Sequence, residues 1–346
     1  MSATYRKKLS QLKDNEHPFA QYVRILGKGK TGSRSLTEEE AYQAMAMILQ
    51  QEVEDIQLGA FLMLLRVKEE SHQELTGFVR AVRDNINAPK NMAVDIDWSS
   101  YAGKKRQLPW YLLSCFLLAD QGIRVFMHGA SGHTIGRLYT EQVLNELNMP
   151  LAKNWQDVET QLNQNNFSFM PLAELCPELK RIIDFRNYLG LRSPVHTLSR
   201  LLNPLAAEYS MQSIFHPAYA DSHQQAAIDL KQPNAAVFKG EGGELERKPE
   251  ASCMVKMVID QQAQEELWPK LLEGRQSQPA QLAVKDLKAL WKDDAHALTP
   301  EQVIYAEQAI IGTTAIAIKL LGKANTQEQA LKLAGDWWQA RNRDRL

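Results

Sequence analysis

Residues 35–86 read SLTEEEAYQAMAMILQQEVEDIQLGAFLMLLRVKEESHQELTGFVRAVRDNI, and their pattern is the strongest indication of the fold. The motifs TEEE (37–40) and SHQE (71–74) have the spacing of a capping box, in which a hydroxyl and a carboxylate satisfy the first turn of a helix. Apolar residues recur at helical spacing after each motif, and residues 56–67 are almost entirely apolar. The pattern predicts consecutive helices, the middle one buried on most sides, in an all-helical unit over residues 1–92.

From about residue 93 the pattern changes to short apolar runs that alternate with helical segments. The first five runs are residues 93–98, 123–129, 167–171, 212–217 and 235–240. A sixth, 252–260, precedes a helical C-terminus. Strands that alternate with helices predict an α/β domain with a largely parallel sheet, and we assign 93–172 and 203–346 to it. Helices from about 173–202 are expected to pack back on the helical unit, and the polar stretch 261–294 is expected to be exposed helix or loop.

Composition is that of a globular protein: 346 residues, 44% hydrophobic, 23% charged, with a net charge of −1. Anion binding would therefore depend on local clusters of Lys and Arg. Cys115, Cys176 and Cys253 are scattered and odd in number, which indicates a reducing compartment rather than a disulfide framework or a zinc site. The charged N-terminus, MSATYRKKLSQLKDN, has no apolar segment behind it, and no apolar run has membrane-spanning length. The expected location is the cytoplasm.

Two segments resemble anthranilate phosphoribosyltransferases and related nucleoside phosphorylases. QEVEDIQLGAFLMLLRVK (51–68) is similar to a block that carries much of the dimer contact in those families. RNYLGLRSPVHTLSRLLNP (186–204) is similar, without a gap, to their RxxLGIRTxFNLLGPLxNP segment. The resemblance covers nearly the whole chain. It implies the same fold, a small all-helical domain plus a larger α/β domain with a central, mostly parallel sheet, and a homodimer formed through the N-terminal helices.

Two parts of the substrate site depart from this family. Active members hold phosphoribosyl pyrophosphate on a GTGGD loop, where small residues let backbone N–H groups approach the diphosphate. Residues 101–109 read YAGKKRQLP at that place, so Gly103 remains but three bulky cations follow it. The family's adjacent Asp-Glu pair, which binds magnesium, has Glu244 and Glu246 as its nearest equivalents, separated by Leu245. They are weak metal candidates.

The second substrate loop keeps only its start, His128-Gly129, and lacks the serines that follow in the family. These departures from the family's motifs predict that ordinary phosphoribosyl transfer is lost, and we assign no catalytic residue and no cofactor. Cations stand instead in loops that would surround an anionic ligand, which suits a longer polyanion. The candidate nucleic-acid-binding residues are Lys28, Lys30, Arg34, Lys104, Lys105, Arg106, Arg137, Arg186, Arg192 and Arg200.

These features resemble a divergent branch of the family, the YbiB-type proteins, which keep the architecture and bind nucleic acid as homodimers. The matching motifs are GKGK (27–30), YAGKKRQ (101–107), RVFMHG (124–129), FMP (169–171) and RNYLGLRSPVHTLSRL (186–201). The resemblance implies DNA or RNA as partner and a second copy of the chain. We expect no membrane contact, and little base specificity, because the sequence offers no recognised base-reading module.

Other interpretations stay open at this point. A Lys-Lys-Arg triplet is usually a solvated loop, His128 is more typical of a structural residue than of a base, and Glu241, Glu244 and Glu246 fit exposed acids. The competing function is an active, magnesium-dependent phosphoribosyltransferase of the anthranilate phosphoribosyltransferase type, with a rearranged diphosphate site. A third is a scaffold or regulator that uses only its dimer surface.

Overall fold

The computed structural model describes residues 16–274 and 278–346, so the interpretation of the charged segment 1–15 lies outside the described residues. Within the described residues, the N-terminal part is a helical unit that contains four helices. These are α1 (Ala20–Gly27), α2 (Glu38–Leu49), α3 (Asp55–Lys68) and α4 (His72–Asn85).

Both capping boxes form. The Thr37 hydroxyl accepts a hydrogen bond from the Glu40 backbone N–H at 3.2 Å, and the Ser71 hydroxyl accepts one from the Glu74 N–H at 3.2 Å. The returning contacts, from the carboxylate of each Glu to the cap backbone, are also present. Helices α2 and α4 therefore begin where the sequence predicts, because each motif satisfies N–H groups that a first helical turn leaves open.

Helix α3 is less buried than its composition predicts. Leu58, Phe61 and Leu65 are buried, but Ile56 is 68% exposed and Val67 is 85% exposed. The expectation that this helix is buried on most sides is therefore wrong at its two ends. The helix therefore buries one side only, and its exposed surface includes apolar residues.

The second unit is built on a seven-stranded sheet with the order β3-β2-β1-β4-β5-β6-β7. The first five strands pair in parallel, and β6 and β7 close one edge as an antiparallel hairpin. The strands are β1 (Ile96–Ser100), β2 (Val125–Gly129), β3 (Phe167–Pro171), β4 (Tyr209–Ile214), β5 (Asn234–Lys239), β6 (Cys253–Ile259) and β7 (Gln262–Trp268).

The described residues form eleven further α-helices, some packed on the sheet and others on the helical unit. Strand β7 and the helix Lys285–Trp291 both lie in the polar stretch that the sequence assigns to exposed helix or loop, so that expectation missed the last strand. The helices are α5 (Tyr111–Asp120), α6 (Thr140–Glu146), α7 (Trp155–Asn165), α8 (Leu172–Leu175), α9 (Pro177–Asp184), α10 (Arg186–Leu189), α11 (Val195–Leu198), α12 (Ala220–Asp229), α13 (Lys285–Trp291), α14 (Pro300–Leu320) and α15 (Gln327–Ala340).

Two hydrophobic cores hold the molecule together. One lies between the sheet and helices α5, α14 and α15. The other joins the four N-terminal helices to residues of α8, α9 and α11, with Leu179, Ile182 and Val195 fully buried in it. The segment 172–202 therefore contributes its apolar side chains to the core of the helical unit, although it follows the third strand of the sheet.

Helix α14 is long and apolar enough to span a membrane by length and composition, with a mean hydropathy of 1.3 over its most apolar stretch. The expectation that no apolar run has membrane-spanning length is therefore wrong for α14. About two thirds of that stretch (67%) is buried inside the protein. The helix packs under the sheet beside α5 and α15, which identifies it as a core helix of the α/β unit.

Candidate functional site

The site lies at the carboxyl ends of the parallel strands. Strands β1 and β4 are neighbours, and the chain leaves them toward opposite edges of the sheet. Such a switch in strand order opens a crevice, and ligands of open α/β sheets bind there. The loop that follows β1, residues 101–106, and the loop that follows β5, residues 240–246, meet at this crevice.

The loop after β1 is held in a fixed shape. Gly103 has φ +69°, and a Cβ atom at this position would lie 2.8 Å from the Tyr139 ring. Only glycine meets both demands without strain. The backbone of Lys104 pairs with that of Leu138 through two N–H···O bonds of 2.8 Å.

Lys104 does not face the crevice. Its side chain is fully buried, and its ammonium lies 2.6 Å from the Glu246 carboxylate and in contact with Glu241. Burial by itself would lower the pKa of the Lys104 ammonium, but the charges of Glu246 and Glu241 outweigh it and raise that pKa. The expectation that Lys104 meets an anionic ligand is therefore wrong for this structure, because internal carboxylates already hold its charge.

Glu244 occupies the backbone donors that the loop retains. One oxygen of its carboxylate accepts hydrogen bonds from the Ala102 N–H at 2.7 Å and from the Gly103 N–H. The side chain is fully buried, and burial raises the pKa of Glu244. The Glu244 carboxylate therefore accepts hydrogen bonds from the backbone N–H groups that, in a Gly-rich loop, would bind a phosphate.

The two weak metal candidates are also engaged in the fold. Glu246 is fully buried, and its second oxygen accepts a hydrogen bond from the Tyr111 N–H at 3.0 Å, at the start of α5. Glu244 and Glu241 are not exposed acids either, since both contact the loop after β1. Among the described residues no three His, Cys, Asp or Glu side chains are placed to share a metal ion. The donor set does not fit the magnesium site that the resemblance implies.

Arg137 holds two loops together through their carbonyls. One guanidinium nitrogen donates to the carbonyl oxygens of Ala102 at 3.0 Å, Gly103 at 2.8 Å and Gly242 at 3.0 Å. These bonds join the loop after β1 to the loop after β5. Arg137 was expected to contact an external anion, but this nitrogen is committed to the backbone.

Arg200 has a similar role deeper in the protein. It is buried, and its guanidinium donates to the Ser213 hydroxyl at 2.9 Å, to the Gly243 carbonyl at 3.0 Å and to the His196 carbonyl at 3.2 Å. Burial lowers the pKa of Arg200. The residue ties β4 to the loop after β5, and most of its donors serve the fold.

The remaining candidate cations lie in three places: at the crevice, on the exposed part of the loop after β1, and on the segment after α1. Arg186 donates to the His133 carbonyl at 2.7 Å and contacts Thr134, and it remains half-buried with Arg192 at the crevice. Lys105 and Arg106 are exposed. In the part of the chain that the structure describes, none of these four residues has a carboxylate within ion-pair distance.

Three of the candidate residues lie on the helical unit, in the segment 28–34 that follows α1. Lys28, Lys30 and Arg34 are exposed after α1, and Arg34 is engaged by the Glu40 carboxylate at 2.6 Å and 2.7 Å. No hydrogen bond or ion pair between described residues links them to the loop 101–106. The structure therefore brings together Arg137, Arg186, Arg192 and Arg200 around the crevice, and the described segment 28–34 makes no such contact with them.

His128 and Gly129 are structural. His128 is buried at the end of β2, with its Nδ1 atom 2.6 Å from the Tyr101 hydroxyl and its Nε2 atom 3.3 Å from Asp97. A Cβ atom on Gly129 would lie 2.2 Å from the Ser100 carbonyl oxygen. Glycine at this position lets β1 and β2 approach at their carboxyl ends.

Three residues of the crevice escaped the sequence interpretation. Arg66, at the end of α3, lines a cavity beside Arg192, and Phe215 follows β4 with 45% of its surface exposed. Lys239 ends β5 and lines a second cavity next to Phe215. The sequence signal for Phe215 and Lys239 is their place at the carboxyl end of predicted strands, where ligands of α/β sheets bind.

Comparison with known proteins agrees with this architecture. The helical bundle domain of a glycosyl transferase family matches residues 20–86, and the α/β domain of a glycosyl transferase family matches residues 111–340. Among curated proteins, the uncharacterized protein YbiB of Escherichia coli is 27% identical over 257 residues, which is 73% of this chain and 79% of that protein. An anthranilate phosphoribosyltransferase of Bacillus cereus is 24% identical over 316 residues, 90% of this chain and 91% of that protein.

Solved structures show the same fold. The anthranilate phosphoribosyltransferase of Saccharomyces cerevisiae in complex with PRPP and Mg superposes with a TM-score of 0.76 at 16% identity, over 94% of this chain and 95% of that chain. The enzyme from Thermus thermophilus gives a TM-score of 0.73 at 19% identity. The fold predicted from the sequence is therefore confirmed, and the chain belongs to the glycosyl transferase family of which anthranilate phosphoribosyltransferases are members.

Proposed function

We propose that this protein binds nucleic acid, DNA or RNA, through phosphate contacts in the crevice between its helical and α/β units, with little preference for base sequence. The main observation behind the proposal is which polar groups of the loop after β1 are already bonded within the protein and which are exposed. Its amides are satisfied by Glu244 and its buried lysine by Glu246, whereas Lys105 and Arg106 on the same loop are exposed cations. Exposed side-chain cations contact spaced phosphates, whereas a loop of free amides contacts one diphosphate.

The shape of the crevice supports a strand as its occupant. A cavity of about 680 Å³ is lined by Arg106, Lys239 and Phe215, and it shares Ile214 and Phe215 with the cavity beside Arg192. Both cavities therefore contain cations together with the exposed Phe215 ring, although Asp221 and Glu241 also line the larger one. Cationic grooves with aromatic stacking positions are typical of proteins that bind single strands without sequence preference.

Internal ion pairs reduce the number of cations that can serve this role. Lys256 lies on the same cavity but is engaged by Asp221 at 2.9 Å and Glu265 at 2.6 Å. Lys248 is engaged by Glu250 at 2.8 Å. The cations that support the proposal most directly are Lys105, Arg106, Arg186, Arg192 and Lys239.

Fluorescence anisotropy across a salt series tests the proposal, using single- and double-stranded oligonucleotides of equal length. Each phosphate contact contributes about 0.7–0.9 to the slope of log affinity against log salt. We expect the double variant Lys105→Ala/Arg106→Ala to bind more weakly at low salt and to lower the slope by about 1–2.

The matched control is Lys292→Ala/Lys323→Ala, which removes two exposed lysines outside the crevice and should leave the slope unchanged. Absence of binding at low salt, or an equal loss in both double variants, would refute the proposal.

The second candidate is an active phosphoribosyltransferase that uses phosphoribosyl pyrophosphate and magnesium. It is favoured by the shared fold with a transferase solved in complex with PRPP and Mg, and by Gly103, which keeps its positive φ. Calorimetric titration with phosphoribosyl pyrophosphate separates the two functions. A magnesium-dependent heat signal would favour the transferase, and its absence beside salt-dependent oligonucleotide binding would favour the first proposal.

A further inference from the structure

The crevice contains a smaller cavity with a distinct chemistry. Its volume is about 120 Å³, and it is bounded by the end of α3, by residues 192–200 and by the end of β4. One water needs only about 15 Å³ of such space, so the cavity has room for a group of several heavy atoms. Arg200 lines this cavity and also donates to the Gly243 carbonyl in the loop after β5.

The lining of this cavity is cationic and lacks carboxylates. Arg66, Arg192 and Arg200 line it, and no Asp or Glu among the described residues does. The side-chain contacts of Arg192 and Arg66 are weak, each at 3.5 Å, to the Thr134 and Tyr219 hydroxyls. Burial, helped by the charges of neighbouring arginines, lowers the pKa of Arg192 to about 10. An anion in this cavity would relieve that repulsion.

Two polar atoms at this cavity have no partner. The Ser193 hydroxyl and the Nε2 atom of His196 are buried without a hydrogen bond to any described residue, and each residue is only 5% exposed. Buried polar groups of this kind are rare in proteins unless water or a ligand satisfies them. Both residues line the cavity beside Arg192.

The tautomer of His196 specifies what the ligand must supply. Its Nδ1 atom lies 3.2 Å from the Ser193 carbonyl, which can only accept, so Nδ1 carries the proton. Burial lowers the pKa of His196 well below its usual value, so the ring is neutral. Nε2 is then an acceptor, and the ligand must bring a hydrogen-bond donor as well as negative charge.

We propose that this cavity binds a phosphate monoester group, whose P–OH donates to His196 Nε2 and whose other oxygens accept from Arg192 and the Ser193 hydroxyl. A monoester has a second pKa of about 6, so it carries this proton over a useful pH range. Sulfate and internal phosphodiesters have no such proton. The proposal does not depend on binding of a polymer, because either a small metabolite or the terminal phosphate of a strand has the required group.

Calorimetric titration of the full chain near pH 6 with inorganic phosphate, and separately with sulfate, tests the site. We expect saturable phosphate binding that is at least about tenfold tighter than sulfate binding, and a loss of about tenfold or more in Arg192→Met. Ser193→Ala should weaken phosphate binding with little effect on folding, because it removes one unpartnered hydroxyl. Lys323→Met is the control for the lost charge, since it lies outside the crevice.

Equal affinity for phosphate and sulfate, or phosphate binding that Arg192→Met and Ser193→Ala leave unchanged, would overturn this inference. A pair of oligonucleotides with and without a 5′-phosphate distinguishes the two sources. Tighter, Arg192-dependent binding of the phosphorylated strand identifies a strand end, whereas equal binding of both strands beside tight phosphate binding identifies a small metabolite. Oligonucleotide binding without any phosphate binding overturns this inference and leaves the proposed function intact.

Discussion

Lys104 contributes to the stability of the fold rather than to contact with a ligand. Its ammonium is fully buried between Glu246 and Glu241, so it compensates two carboxylates that would otherwise be isolated in the interior. Removing one partner of a buried ion pair costs about 3–5 kcal/mol, because the charge left behind has lost both water and its partner. We expect Lys104→Met, which keeps the length of the side chain, to lower the free energy of unfolding by that amount in urea denaturation.

The neighbouring lysine provides the control for this prediction. Lys105 is exposed, so Lys105→Met should change stability by no more than about 0.5 kcal/mol. The double variant Lys104→Met/Glu246→Gln should recover part of the loss, since it removes one of the two unpaired carboxylates. Equal stability of Lys104→Met and Lys105→Met would mean that the buried ion pairs do not form.

A buried histidine makes stability depend on pH. His223 is 1% exposed, and burial, helped by the charge of Arg200, lowers its pKa to about 3. In the unfolded chain its pKa is about 6.5, so below that pH the unfolded state binds a proton that the folded state does not. Stability from this residue is complete above about pH 6.5 and is lost as the pH falls toward 3, by up to about 1.4 kcal/mol per pH unit.

The variant His223→Gln should therefore show a flatter decrease of the unfolding free energy between about pH 6.5 and 4.5 than the parent chain. Burial raises the pKa of Glu70 to about 7, which acts in the opposite direction, so the test is the difference between the two chains. His296→Gln is the control, because the His296 side chain is 91% exposed. The same slope in all three chains would show that His223 is not held neutral.

At the scale of elements, one glycine sets the distance between two helices. A Cβ atom on Gly77 in α4 would lie 2.1 Å from the Glu38 carbonyl oxygen at the start of α2. Gly77→Ala must therefore move the helices apart, and overpacking of this kind costs about 1–3 kcal/mol. Gly59 lies in the middle of α3 with no atom near its Cβ position, so Gly59→Ala should raise stability by about 0.5–1 kcal/mol. Thermal denaturation of the two variants should show shifts of opposite sign.

The elements also show how far the sequence alone predicts this structure. Helices α2 and α4 were predictable because a capping box is a local signal, complete within four residues. Strand β7 was not, since its exposed, charged residues have no alternation that distinguishes them from a loop. The role of Lys104 was not predictable either. Its partners Glu241 and Glu246 are far away in the chain, and only the fold brings their carboxylates to the loop after β1.

At the scale of the whole molecule, a net charge of −1 conceals an uneven distribution of cations. Several positive residues are neutralised internally, as Lys104, Lys256 and Arg34 are by their carboxylate partners. Others gather at the crevice, where arginines lie close enough to lower the pKa of Arg192. Local excess of this kind, rather than net charge, determines whether a polyanion is attracted and how strongly salt opposes it.

The homodimer is still a prediction, and an exposed apolar surface on the helical unit supports it. Ile56 is 68% exposed on α3, and a shallow depression between α1 and α3 is lined by Ile56, Val23, Ala20 and Ala60. Exposed apolar patches on helical surfaces are typical of contacts between subunits, and a two-fold dimer would place the same patch on both copies.

We expect Ile56→Asp to convert a dimer to a monomer, because it places two unpaired charges in the centre of the contact. Sedimentation or light scattering after size exclusion measures the mass, and Ile135→Asp, at an isoleucine that is 96% exposed on the α/β unit, is the control. Equal masses for Ile56→Asp and the parent chain would place the subunit contact elsewhere or show that the chain is a monomer, and in the latter case each copy would have to bind its ligand in a crevice of its own.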